Sequence, residues 1–177
     1  MSDILNTSIS NSSTITSLSD NVPFINEKLI QKIAMILESL IKLNNSNNSK
    51  FPKNKNIFYC NEKPAISLYN YLHRIQKYLS VEDNTLILSL IYIDRICKEG
   101  KYMINYYNVH KILLVAIILA IKFNEDIYYT NCYFAKIGGV SIDELNKMEE
   151  KFAFAIQFNL FVEKSLYDKY YNCINRI

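Results

Sequence analysis

The sequence predicts an all-α fold. Three observations point there. The 177 residues include only three glycines and three prolines, far fewer than the tight turns of an all-β fold require. Apolar residues recur at helical spacing in several segments. One run, Ile112 to Ile121, is apolar on every side, and in a water-soluble protein such a helix has to be enclosed by others. Half of the residues are hydrophobic, enough for the core of one domain of ordinary size with flanking segments.

The elements follow in order. Residues 1–22 are mostly serine, asparagine and threonine, too poor in apolar side chains to offset the entropy of ordering, and a disordered tail is expected. Residues 23–44 carry Ile25, Leu29, Ile33, Ile36, Leu37 and Leu40 at helical spacing behind Pro23, which predicts an N-terminal helix. Residues 45–63 are rich in asparagine and lysine, contain Pro52, and read as a linker.

A five-helix unit is expected over residues 64–163. Ser67 is placed to cap a helix with Leu68, Leu72, Ile75 and Leu79 on one stripe. Ser80 reads as the cap of a second helix running to about Cys97, stopped by Gly100. Asn105 or Asn108 starts the third, which contains Val109 and the apolar run and has Lys111 and Lys122 near its ends. Thr130 caps a short fourth helix, Asn131 to Ile137, which Gly138-Gly139 end. Ser141 with Glu144 forms a capping box, and Val140 with Leu145 a hydrophobic staple, ahead of a fifth helix carrying Met148, Phe152, Ala155 and Ile156. A C-terminal helix within residues 164–177, from Ser165 to about Ile174, completes the chain.

Composition excludes several functions. The formal charge of +3 is spread among acids rather than gathered into a basic stripe. Cys60, Cys97, Cys132 and Cys173 make no C-x-x-C pair, and with His73 and His110 they form no zinc set; buried or half-buried free thiols in a reducing compartment are expected. No P-loop occurs, and Gly138-Gly139 offers too few amides to cradle a phosphate. Neither histidine lies in a recognisable nucleophile motif. The acidic pairs Glu82-Asp83, Glu125-Asp126 and Glu149-Glu150 read as solvated charge. The opening residues lack a signal-peptide core and the longest apolar run is too short to span a bilayer. A soluble, intracellular protein without a catalytic centre is expected. By spacing alone, Lys122 and Glu149 read as surface charges.

Motifs then add a family resemblance. Leu86-Ile-Leu-Ser-Leu-Ile-Tyr-Ile-Asp-Arg95, the run ending Leu119-Ala-Ile-Lys-Phe123, and Lys147-Met-Glu-Glu150 with Phe152 and Phe158-Asn-Leu160 resemble the second, third and fifth helices of a cyclin box. Pro64-Ala-Ile-Ser-Leu-Tyr-Asn-Tyr-Leu-His-Arg-Ile75, Tyr133-Phe-Ala-Lys-Ile-Gly-Gly-Val-Ser141 and Glu144-Leu-Asn146 are similar to P-type cyclins, the phosphate-system and related group. The resemblance covers about 140 residues, with several motifs in the right order, and includes the N-terminal helix. It implies a single five-helix cyclin box with an extra N-terminal helix and a short C-terminal helix.

In function it implies a regulatory subunit, not itself an enzyme, that binds and activates a cyclin-dependent serine/threonine kinase in the nucleus or cytoplasm. Such a cyclin docks on the kinase helix that carries a catalytic glutamate and swings it inward. The resemblance makes Lys122 and Glu149 a charge pair bracing the third and fifth helices at the docking face. Phe123, Ala153, Phe158 and Leu160 become its apolar lining. No cofactor, metal, membrane or small-molecule substrate is implied, and nucleic acid is not an expected partner. The Met-Arg-Ala-Ile-Leu-like docking motif of cell-cycle cyclins is missing from the first helix, and a second, C-terminal cyclin fold is not expected. The competing readings are a single-repeat, transcription-factor-like cyclin fold that binds nucleic acid, and a helical scaffold for a non-kinase partner.

Overall fold

The computed structural model describes residues 25–47, 56–98 and 102–177, and all regular structure among them is helical. In chain order the helices are α1 Glu27–Asn47, α2 Leu68–Leu79, α3 Asp83–Lys98, α4 Val109–Asn124, α5 Asn131–Gly138, α6 Ile142–Ala155 and α7 Lys164–Asn175. The expected disordered tail, the middle of the expected linker and Gly100 lie outside the described residues. No described helix is long and apolar enough to cross a membrane.

Helix α4 is the axis. From Ile112 to Ile121 every residue is buried. It packs against α3, α5 and α6, and α2 reaches its first turn through Tyr71, whose ring meets His110 edge-on at 5.1 Å. Each large aliphatic side chain taken from water contributes about 2 kcal/mol, so enclosing this one helix is the main driving force for the arrangement. Helix α1 packs on α2, and α7 lies across α3 and α1.

The local signals work largely as their chemistry dictates. The hydroxyls of Ser67, Thr130 and Ser141 accept from the amides of Asn70, Tyr133 and Glu144, satisfying free donors at the starts of α2, α5 and α6. Leu145 is fully buried, with Val140 half-buried on the same core. The Ser141–Glu144 box is used in a different way, however. The Glu144 carboxylate lies 2.6 Å from Lys111 Nζ, an ammonium that also donates to the Tyr59 carbonyl at 3.1 Å.

Ser80 departs from expectation. It closes α2 instead of opening α3, with φ 51° and its amide donating to the Gln76 carbonyl. Asp83, in the first turn of α3, accepts from buried Gln76 at 3.2 Å and from Asn26 at 2.6 Å, joining α1, α2 and α3 at their ends. Nor does Asn108 cap α4 with its side chain. Its Oδ1 accepts from the Asn105 amide at 2.8 Å, folding the preceding turn on itself. Helix α1 also runs on to Asn47. At the far end of the linker, Phe58 is fully buried, edge-on to Phe152 of α6 at 6.3 Å between centroids. The cysteines are free; Cys60 and Cys97 are half-buried, but Cys132 and Cys173 are exposed. Burial pushes the Cys97 thiol up to about 11.

The two glycines after Ile137 do different work. Gly139 ends α5 in the left-handed region at φ 72°. Gly138 is helical, and a Cβ there would sit 2.3 Å from Leu114 Cδ2. Leu114 is fully buried and has little room to retreat. Gly138→Ala is therefore expected to destabilise the fold by about 1–3 kcal/mol, read as a lower urea midpoint with an unchanged slope.

His110 gives a pH-dependent prediction. Burial lowers its pKa, its Nε2 meets the Ile66 carbonyl at 3.0 Å, which opposes that shift, and the nearby Arg74 charge adds to it. The folded ring thus refuses a proton that the unfolded chain accepts, so its contribution to stability is whole above about pH 6.5 and declines as pH falls below that value. Urea midpoints measured from pH 7 to 5 should fall less steeply for His110→Gln than for the parent chain.

Candidate functional site

Lys122 stands in the last turn of α4, where a cation is favoured by the helix dipole. Its Nζ lies 2.6 Å from Glu149 Oε1, and the two side chains are 26% and 17% exposed. The other carboxylate oxygen accepts from Asn131 Nδ2 at 2.9 Å. The same amide donates to Asn146 at 2.7 Å. Helices α4, α5 and α6 therefore meet at one satisfied carboxylate. Spacing alone makes Glu149 a solvated acid, and the structure corrects this. Glu150, its neighbour, is the one that faces water.

The apolar residues of the expected lining are distributed unevenly. Phe123 is 50% and Phe158 60% exposed. Leu160 is half-buried, while Ala153 is buried and its carbonyl accepts the Phe158 amide at 2.8 Å. Three further exposed side chains are not singled out by the sequence motifs: Phe154, Phe161 and Ile127, at 61%, 68% and 89%. Phe154 meets Phe158 edge-on at 5.0 Å. A signal for Phe154 was present, since it falls off the buried stripe of α6 marked by Met148, Phe152 and Ala155. One exposed ring is ordinary, but Phe154 and Phe158 together form an exposed aromatic pair of the kind that marks an interaction surface.

The chain leaves α6 through an unusual turn. Gln157 and Phe158 both have φ 55°, left-handed conformations that cost non-glycine residues on the order of 1–3 kcal/mol each. Side chains of α3 hold the turn from below. Tyr92 donates its hydroxyl to the Leu160 carbonyl at 2.7 Å. Arg95 donates from its two terminal nitrogens to the carbonyls of Asn159 and Phe161. Burial raises the Tyr92 pKa, against the opposing pull of a hydrogen bond with Asn124 and of the Arg95 charge. Asp94, the remaining polar member of the Tyr-Ile-Asp-Arg motif, accepts from Tyr170 of α7 at 2.6 Å and pairs with Lys98 at 2.6 Å. The motif is thus a fastening strip for the segments that follow α6. Nothing local in the sequence reveals that role, because the partners lie more than 60 residues away.

Chemically, the site combines a matched charge pair with exposed aromatic rings. Its ammonium is already matched by a carboxylate and its aromatic rings are open to water, which suits a protein surface that buries phenylalanines around a fixed polar brace. Comparison with known proteins agrees with this architecture. The family model described as Cyclin matches residues 27–160. Cyclin-U4-1 of Arabidopsis thaliana is 30% identical over 157 residues, covering 87% of this chain and 78% of the relative. The PHO85 cyclin-like protein psl1 of Schizosaccharomyces pombe is 36% identical over 153 residues, with 78% and 63% covered. Cyclin-P4-1 of Oryza sativa subsp. japonica is 37% identical over 109 residues, with 61% and 51% covered. The matches thus span between half and about four-fifths of these relatives' own lengths. With the helix order, the enclosed α4 and its brace to α6, they establish that this chain belongs to the cyclin family, among the P/U-type cyclins.

Proposed function

We propose that this cyclin binds a cyclin-dependent serine/threonine kinase through the face around Lys122 and Glu149, and activates it. The observation that carries the reading is the 2.6 Å Lys122–Glu149 pair on the same helices that expose Phe123 and Phe154. Family membership supports it, as does similarity to a protein whose name calls it PHO85 cyclin-like.

In this reading the exposed rings pack against the kinase helix that bears the catalytic glutamate. Burying them supplies binding energy. The charge pair holds α4 and α6 in the relative position that the contact needs. The kinase helix then rotates inward, its lysine–glutamate pair closes and the activation segment is released. The chain contributes shape and apolar area to this step rather than a reacting group. It acts wherever its kinase does, in the nucleus or cytoplasm.

The first test is recovery of a kinase with the tagged chain from its native cells, followed by phosphorylation assays with and without the chain. A bound kinase whose activity rises with added cyclin is expected; a chain that recovers none would sink the reading. Alanine at Lys122 or Glu149 leaves a largely desolvated partner charge. Each change should cost about 2–3 kcal/mol of stability, less than for a fully buried pair because both side chains retain some water. Activation should fall at least about ten-fold at temperatures where the variant remains folded. Phe158→Ala separates the two effects, because its ring is 60% exposed. Binding should weaken by about ten-fold or more while the melting temperature stays within a few degrees of the parent.

A further inference from the structure

We propose that Tyr92 and Arg95 are positioning residues of the docking face: they hold the turn after α6 in its left-handed form, and that form sets where Phe158 and Phe161 stand. The inference rests on the kinase-docking reading but concerns residues on another helix. It follows from three observations. The turn contains two consecutive non-glycine residues, Gln157 and Phe158, at φ 55°, a conformation costly enough that surrounding contacts have to support it. Three successive carbonyls, those of Asn159, Leu160 and Phe161, are each taken by a donor from α3. Phe158, just before these carbonyls, and Phe161, which carries the last of them, are among the most exposed large apolar side chains of the described residues.

The geometry suits the side chains chosen. Arg95 spans two carbonyls two residues apart with separate nitrogens of one planar group, which a lysine cannot do. Tyr92 is fully buried, so its hydroxyl is a fixed point delivered by the core. Without these donors, the turn should relax toward right-handed backbone angles, and the two phenylalanines should spread over many positions.

The experiment measures affinity for the kinase recovered with the chain, using Arg95→Ala, Arg95→Lys, Tyr92→Phe and the surface control Phe158→Ala. Arg95→Ala should weaken binding by about ten-fold, the worth of a charge-assisted hydrogen bond, and Arg95→Lys should recover little of it. Gln157→Gly in the Arg95→Ala background should then restore several-fold, because glycine takes positive φ without penalty. A guanidinium that touched the kinase directly could not be replaced in this way. The sequence contains no tryptophan, so Phe158→Trp provides a sole reporter whose fluorescence anisotropy in the free chain should drop when Arg95→Ala is added.

Parent-like binding by Arg95→Ala beside weakened binding by Phe158→Ala would overturn the inference and leave the docking reading standing. Parent-like binding by both would remove the docking face itself, and the inference with it. Loss by Arg95→Ala that Gln157→Gly leaves untouched, with the indole still immobile, would make Arg95 a direct contact and overturn the positioning role. If Arg95→Ala lowers the urea midpoint strongly, Tyr92→Phe, which removes a single oxygen, carries the same comparison.

Discussion

Helix α4 has no polar side from Ile112 to Ile121, and the cost of leaving such a rod in water governs the arrangement around it. Helices α3, α5 and α6 pack along it and α2 covers its first turn. Apolar contact has no direction of its own, so burial of α4 explains that these helices gather but not how each is turned. Register comes from a small number of polar groups at the ends of the rods.

Two lysines near the ends of α4 supply much of that register. Lys111, 15% exposed, meets Glu144 and the carbonyl of Tyr59. Lys122 meets Glu149. Both carboxylates belong to α6, so one helix is tied to the other twice. A partly desolvated ammonium is tolerated only when its charge is matched and its protons find acceptors. Only a narrow range of positions meets those conditions, and this converts a nonspecific cluster into one geometry. The second tie also joins the two helices that expose Phe123 and Phe154, so the brace that orders the fold also fixes the relative position of the proposed docking residues.

The strip Tyr92, Asp94 and Arg95 extends the same logic beyond the helices. Its polar atoms reach carbonyls and a tyrosine in segments that follow α6, where apolar packing is thin and rings face water. Exposed aromatic side chains and left-handed backbone both lower the stability of a free chain. Their concentration in one turn, with dedicated donors beneath it, is the feature on which the proposed docking role of this turn rests.

Helical content, the boundaries set by Ser67, Thr130, Ser141 and Gly139, and the enclosure of α4 were legible in the sequence, because periodicity and end-capping act over a few residues. The family motifs likewise pointed to Lys122 and Glu149. A serine between two helices serves equally well as an end or a beginning, and the left-handed φ of Ser80 with its amide on the Gln76 carbonyl makes it an end here. Glu144 looked like half of a capping box, yet its carboxylate belongs to a lysine 33 positions earlier that only folding brings near. The exposure of Phe154 and Phe161, the burial of Phe58 and the fastening of residues 159–161 by α3 were decided by tertiary structure alone. Each depends on which groups become neighbours after the helices enclose α4, and no local pattern encodes a neighbour so distant along the chain.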